Sequence, residues 1–238
     1  YLYTVERTDI ATDGSLTLRT QAEVDAFARS GINTVEGNLT IGGEDEENPV
    51  TNLDGLKNLV SVRCDLTITA AYTGETLAGL ENLTACESLR IGSAAHPNET
   101  LRQLSLPALK EIKGDLCVYG TALQTADFKS LQSVAGHFVL QSDALLQLTA
   151  DELTTVAGNM TLIGTTADEA KAPCEQMYFP KLQRIDGTLT LSRFDRLSGL
   201  GTTFGVLTQA GALRYEHLAL ANTFEFPLIE TTGNITVT

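Results

Sequence analysis

The sequence predicts a mainly β fold, a solenoid of about nine stacked coils. Two recurring phrases predict it. The strand phrase is an aliphatic residue, any residue, glycine, a small polar residue, an aliphatic residue, any residue and an aliphatic residue. The leucine phrase, leucines separated by a short turn, precedes most of its copies. Because one coil alone cannot offset the conformational entropy of its backbone, the coils are expected to stack into one domain.

The strand phrase is clearest as V-E-G-N-L-T-I at residues 35–41, V-R-C-D-L-T-I at 62–68 and I-K-G-D-L-C-V at 112–118. Its last two aliphatic residues lie two positions apart, so they point to the same face of a strand, while the residue between them points outward. The glycine is expected to take a backbone conformation closed to other residues and to turn the chain into the strand. The glycine-equivalent positions are 37, 64, 87, 114, 136, 158, 187, 211 and 233, so neighbours are 22 to 29 residues apart. This spacing is typical of leucine-rich repeats.

The leucine phrase appears as L-D-G-L-K-N-L at residues 53–59 and L-A-G-L-E-N-L at 77–83, with later forms at 104–109 and 179–182. It predicts short helical turns, with Gly55 and Gly79 at corners. The alternative is a doubly wound sheet, which requires helices of about ten or more residues between strands. Leucines at short spacing, interrupted by glycine or proline, favour the solenoid.

The domain prediction is a single solenoid over residues 1–238, with an N-terminal cap at 1–31 and coils at 32–238. T-Q-A-E at residues 20–23 is a capping box, Val24, Phe27 and Ala28 share one helical face, and Gly31 is a stop signal. We therefore expect a capping helix over the first coil. An acidic insertion at 44–47 and a second insertion at 165–177 interrupt the repeat.

Composition limits the possible partners. A net charge of −14 disfavours binding to nucleic acid or to anionic membranes. No apolar stretch is long enough for a transmembrane segment. The four cysteines show no metal-binding spacing, which indicates mostly free, partly buried thiols. A disulfide between Cys64 and Cys86, near matching slots of adjacent coils, remains an alternative.

Catalytic motifs are weak. His96, His137 and His217 fall in different coils, and no nucleophile motif accompanies them. Asp65 and Asp115 occupy equivalent slots two coils apart, roughly 10 Å at the spacing of β-strands, which is slightly wide for a carboxylate pair. The acidic run at 44–47 lacks the spacing of a calcium loop. The sequence therefore predicts no enzyme, no metal and no cofactor.

The outward position between the two aliphatic residues gives the candidate binding face. Its candidate residues are Thr40, Thr67, Arg90, Thr161, Thr190 and Arg214, and Cys117, Val139 and Thr236 occupy the same position in other copies. The row is rich in threonine and nearly uncharged, which suits a flat docking surface. The β-propensity of threonine alone would also explain it.

The combined phrases, best developed at residues 50–68 and 101–118, resemble the receptor L domain. They are also similar to secreted or surface-anchored leucine-rich proteins of Bacteroidetes, whose N-terminal cap the segment at 18–27 resembles. The resemblance implies a right-handed β-helix, export to the cell surface, including lipid anchoring in an outer membrane, and a non-catalytic binding role. We expect a monomer that binds a protein or a glycan. The alternatives are a polysaccharide-active β-helix enzyme and a structural spacer of a larger surface protein.

Overall fold

The fold is a mainly β solenoid of about eight turns with parallel strands and little helix. The computed structural model describes residues 10–43, 47–165, 172–198, 203–218, 229–231 and 233–237. The predicted solenoid is therefore present, whereas the predicted count of about nine coils is not confirmed.

The regular elements whose bounds lie within the described residues are mostly short strands, with one α-helix near the N-terminus. In chain order they are β1 (Leu16–Leu18), α1 (Gln21–Ser30), β2 (Thr34–Val35), β3 (Leu39–Ile41), β4 (Ser61–Val62), β5 (Leu66–Ile68), β6 (Ala85–Cys86), β7 (Leu89–Ile91), β8 (Gln103–Ser105), β9 (Glu111–Ile112), β10 (Leu116–Tyr119), β11 (Thr125–Asp127), β12 (Ser133–Val134), β13 (Phe138–Gln141), β14 (Gln147–Thr149), β15 (Thr155–Val156), β16 (Met160–Ile163), β17 (Gln176–Tyr178), β18 (Arg184–Ser192), β19 (Gln209–Glu216), β20 (Glu230–Thr231) and β21 (Ile235–Val237).

The strand phrase forms one long parallel sheet, in which the inward aliphatic residues line up in two columns. The first column is Leu39, Leu66, Leu89, Leu116, Phe138, Met160, Leu189 and Leu213. The second column is Ile41, Ile68, Ile91, Val118, Leu140, Leu162, Leu191 and Tyr215. All are buried in one continuous core cluster. The period-two alternation of the strand phrase therefore specifies which face of each coil is inside.

The glycines of the strand phrase are required for a different reason from the predicted one. The positive-φ glycines of the described residues are Gly31, Gly42, Gly79 and Gly92, and none belongs to the strand phrase. Instead, the coils stack too closely for a side chain. A Cβ atom at Gly158 would lie 2.6 Å from the carbonyl oxygen of Gly136. The predicted unusual backbone conformation is therefore wrong, and close stacking explains the glycine.

A second parallel sheet lies on a different side of four successive coils and pairs β8, β11, β14 and β17 in that order. The residues of these four strands lie outside the strand phrase, so the phrase does not predict this sheet. Its last strand, β17, comes from the end of the second insertion, whose residues 166–171 lie outside the described part of the chain.

The leucine phrases form tight turns. The backbone N–H of Leu80 donates to the carbonyl of Leu77 at 3.1 Å, and Leu109 donates to Leu106 at 3.2 Å. Asp54–Leu56 is a short 3-10 helix. The predicted helical turns are therefore mostly hydrogen-bonded turns, and Gly79, with φ of 112°, stands at a corner as predicted.

The N-terminal helix has the predicted caps. Thr20 and Glu23 form a reciprocal capping box, and Gly31 ends the helix in the left-handed conformation with φ of 72°. Val24 and Phe27 are buried against the first coil, whereas Ala28, predicted on the same face, is exposed. The helix therefore covers the apolar end of the solenoid through one narrow stripe.

The four cysteines are free, and the alternative Cys64–Cys86 disulfide is not formed. The glycine-equivalent position 87 predicts that its strand phrase begins with an inward aliphatic residue at Ala85, and this prediction is wrong by one residue. Cys86 pairs in register with Ile112 and fills an inward aliphatic position, whereas Cys64 is exposed. The two thiols lie on opposite sides of the sheet wall and cannot meet.

We expect the thiols to react in an order set by burial. Burial raises the pKa of Cys86 to about 12 and that of Cys174 to about 11, so neither forms thiolate near neutral pH. Burial also raises the pKa of the half-buried Cys117. With a chromogenic disulfide reagent at pH 8, Cys64 should react first, and Cys86 and Cys174 at least ~100-fold more slowly. Cys64→Ser should abolish the fast phase, and equal rates for two or more thiols would contradict this order.

Candidate functional site

The six predicted face residues lie in one unbroken register row of the long sheet. We call this row the ladder face. It consists of Thr40, Thr67, Arg90, Cys117, Val139, Thr161, Thr190 and Arg214, each the register partner of the next. All but the exposed Arg214 are partly exposed. The repeat therefore brings residues that are more than 170 positions apart (40 to 214) onto one surface.

A second outward row runs beside the ladder face on its later coils. Tyr119, Gln141, Ile163 and Ser192 are register partners. The first three are partly exposed and Ser192 is 7% exposed. These residues widen the surface around Val139 and Thr161 without adding charge there, and the row continues to Glu216, the register partner of Ser192.

Both arginines of the ladder face are paired within the protein. The guanidinium of Arg90 contacts Asp65 on one neighbouring coil and lies 3.6 Å from a carboxylate oxygen of Asp115 on the other. Arg214 donates to Glu216 at 2.6 Å. Asp65 and Asp115 are therefore bridged by a cation and are not arranged as a free carboxylate pair. The side chains of Arg90, Asp65 and Asp115 are about one third exposed and that of Arg214 is more than half exposed, so these ion pairs add little stability.

The small polar residues of the strand phrase hold the backbone of the next coil. The Oδ1 atom of Asn38 accepts from the N–H of Asp65 at 3.1 Å, and that of Asp115 accepts from the N–H of His137 at 2.9 Å. His137 is exposed, and its Nδ1 atom accepts from the N–H of Asn159 at 2.9 Å. These positions therefore have a structural role. The recurrence of Asn, Asp and Ser after the glycine was the signal for it.

The histidines are not brought together by the fold. His96 lies in the turn after β7, His137 precedes β13, and His217 follows β19. Within the described ranges, no group of three histidine, cysteine or acidic residues could hold a metal ion. Residues 44–46 of the acidic insertion lie outside the described residues, and Glu47 is exposed.

A groove that the sequence did not reveal opens beside the ladder face. It has a volume of about 610 Å³ and is lined by small residues, with Thr67 of the ladder face, Thr69, Ser93 and His96 at its wall. Its location is the end of β3, β5 and β7, where Gly42 and Gly92 take positive φ values. The volume is in the range of ligand-binding clefts.

The fold and its surface define the class as a parallel β-solenoid whose outward ladder face is at least partly exposed among the described residues. Comparisons with sequence-family models, with curated proteins and with solved structures find no match for this chain. In the part of the chain that the structure describes, no helix has the length and apolar character needed to cross a membrane.

Proposed function

We propose that this chain is a non-catalytic binding module of the cell surface or extracellular space, and that the ladder face takes a protein or glycan ligand. The proposal includes the right-handed, L-domain type of β-helix that the repeat resembles. The observation that carries it is the continuous, partly exposed register row from Thr40 to Arg214. At roughly 4.8 Å per strand, the seven intervals of this row span about 34 Å.

The distribution of charge on the ladder face favours an uncharged ligand surface. The chain carries a net charge of −14, yet the ladder face has no acidic side chain, and its arginines are neutralised by Asp65, Asp115 and Glu216. A ligand would therefore meet hydroxyl groups and apolar side chains such as Val139. Such a surface binds through shape and hydrogen bonding more than through long-range steering.

The alternative function, a polysaccharide-active enzyme, has less support. Glycoside cleavage requires two carboxyl groups that act as acid and base or nucleophile. Asp65 and Asp115, the pair that the repeat places beside this face, share the guanidinium of Arg90 between them. The third candidate, a structural spacer, would leave the ladder face without an occupant.

Charges placed on the ladder face are expected to abolish binding. Val139→Glu and Thr161→Lys change outward, partly exposed positions at the centre of the row, so the fold should persist. Binding of the intact chain to a printed glycan array and to immobilised extracellular matrix proteins should fall at least about tenfold in both variants. Thr125→Glu, at a comparable outward position of the second sheet, is the matched control and should retain binding.

Two outcomes would count against the proposal. Wild-type chain that binds no glycan or matrix protein would remove its basis, and so would equal binding by wild type and both face variants. Release of reducing ends from a polysaccharide panel would favour the enzyme. Export is tested separately, by the presence of an export signal in the complete gene.

A further inference from the structure

The second sheet ends in a small cavity beside an exposed aromatic ring. The cavity has a volume of about 250 Å³ and is bordered by Gln176, Tyr178, Ser198 and Thr203. Tyr178 is the last residue of β17 and is 43% exposed. This site lies on the second sheet and not on the ladder face, so it stands or falls independently of the proposed function.

The ring of Tyr178 is held in place by its neighbours. Gln176 and Tyr178 are two residues apart on one strand, so their side chains share a face, and the Tyr178 hydroxyl donates to Oε1 of Gln176. The next residue, Phe179, is fully buried and stacks on Phe204, with the ring centroids 5.5 Å apart. The backbone beneath the exposed ring is therefore anchored in the core.

Unused hydrogen-bonding groups line the same cavity. Ser198 donates its hydroxyl to the carbonyl of Glu175 at 3.2 Å, which leaves its oxygen lone pairs as acceptors. Thr203 borders the cavity and is only 4% exposed. Gln176 accepts from Tyr178 and retains its amide hydrogens as donors. A ligand that supplies donors and acceptors to these groups forms hydrogen bonds shielded from water.

The chemistry of the lining selects the ligand class. Among the described residues the lining is uncharged, which favours a neutral ligand over an ionic one. An exposed aromatic face attracts weakly positive C–H groups, and the surrounding amide and hydroxyl groups suit a rim of hydroxyls. A neutral sugar ring has both features. The volume, slightly below the usual ~300–1,000 Å³ of ligand pockets, suits one such ring. We propose that this cavity binds a single neutral hexopyranose unit, stacked on Tyr178.

Saturation-transfer NMR on the whole chain tests the site. The probes are the methyl α-pyranosides of glucose, mannose and galactose, each measured alone. At least one should receive saturation from wild-type protein. Tyr178→Ala should weaken its binding at least about tenfold, whereas Tyr178→Phe, which keeps the stacking face, should stay within about threefold. Thr203→Val, which removes the hydroxyl at nearly constant volume, should weaken binding several-fold.

Leu146→Ala is the matched control, because Leu146 is also an exposed apolar residue, at 52%, beside the second sheet. It should bind the probe as wild type does, and circular dichroism should show unchanged folding in all four variants. No saturation of any of the three glycosides by wild-type protein would overturn the proposal. Equal losses in Tyr178→Ala and Leu146→Ala would overturn it as well. Neither result bears on the ladder face, which the charge variants test.

Discussion

Replacing Asn98 with alanine is expected to lower the free energy of unfolding by about 3–5 kcal/mol, because several buried backbone groups lose their partner together. Asn98 is fully buried. Its Nδ2 atom donates to the carbonyls of Tyr72 at 2.8 Å and Thr69 at 3.3 Å, in the turn of the preceding coil. Its Oδ1 atom accepts from the N–H groups of Leu101 at 2.8 Å and Thr100 at 3.1 Å. One amide therefore joins two successive coils.

Urea unfolding followed by circular dichroism measures this effect, and Asn82→Ala is the control. Asn82 also belongs to an Asn-x-Thr sequence and also donates to a carbonyl of the preceding coil, that of Lys57 at 2.8 Å, but it is exposed. Its loss should cost less than about 1 kcal/mol, because water can take over the hydrogen bond. Similar losses in the two variants would show that the Asn98 network does not hold the coils together.

The architecture was predictable from sequence because one simple rule repeats along the chain. Inward residues such as Leu39 and Ile41 alternate with outward residues such as Thr40, and stacking places equivalent positions side by side. The whole ladder face follows from that rule. Where a copy of the strand phrase is one residue shorter, the rule assigns the wrong residue to the inward position, as it does for Cys86.

The cross-coil contacts were not predictable, because they depend on residues that no local pattern connects. Asn98 bonds to Thr69 and Tyr72, 29 and 26 residues earlier. The ion pairs of Arg90 form because its side chain reaches the carboxylates of both neighbouring coils, a contact that no sequence pattern indicates. The cavity beside Tyr178 likewise combines separate segments. The sequence therefore predicts the surface that the repeat builds, but it does not predict the sites where the repeat is interrupted.

Gly79→Ala is expected to lower the free energy of unfolding by about 3 kcal/mol or more, from backbone strain and overlap combined. Gly79 has φ of 112°, a backbone conformation that residues with a Cβ atom rarely adopt. A Cβ atom there would also lie 1.9 Å from the carbonyl oxygen of Leu53 and 2.4 Å from its carbonyl carbon. Both obstacles are backbone atoms of the preceding corner, so no side-chain rotation relieves the clash.

The control for Gly79→Ala is Gly14→Ala, since a Cβ atom at Gly14 meets nothing within 4 Å and its φ is not positive. That substitution should leave stability unchanged or raise it by up to about 1 kcal/mol, through the unfolded state. Urea unfolding of both variants under the same conditions separates the two cases. A loss below about 1 kcal/mol for Gly79→Ala would mean that adjacent corners can move apart. The same closeness recurs at Gly55, where a Cβ atom would lie 2.1 Å from the carbonyl oxygen of Val24, so the cap helix packs on its coil about as closely as one corner packs on the next.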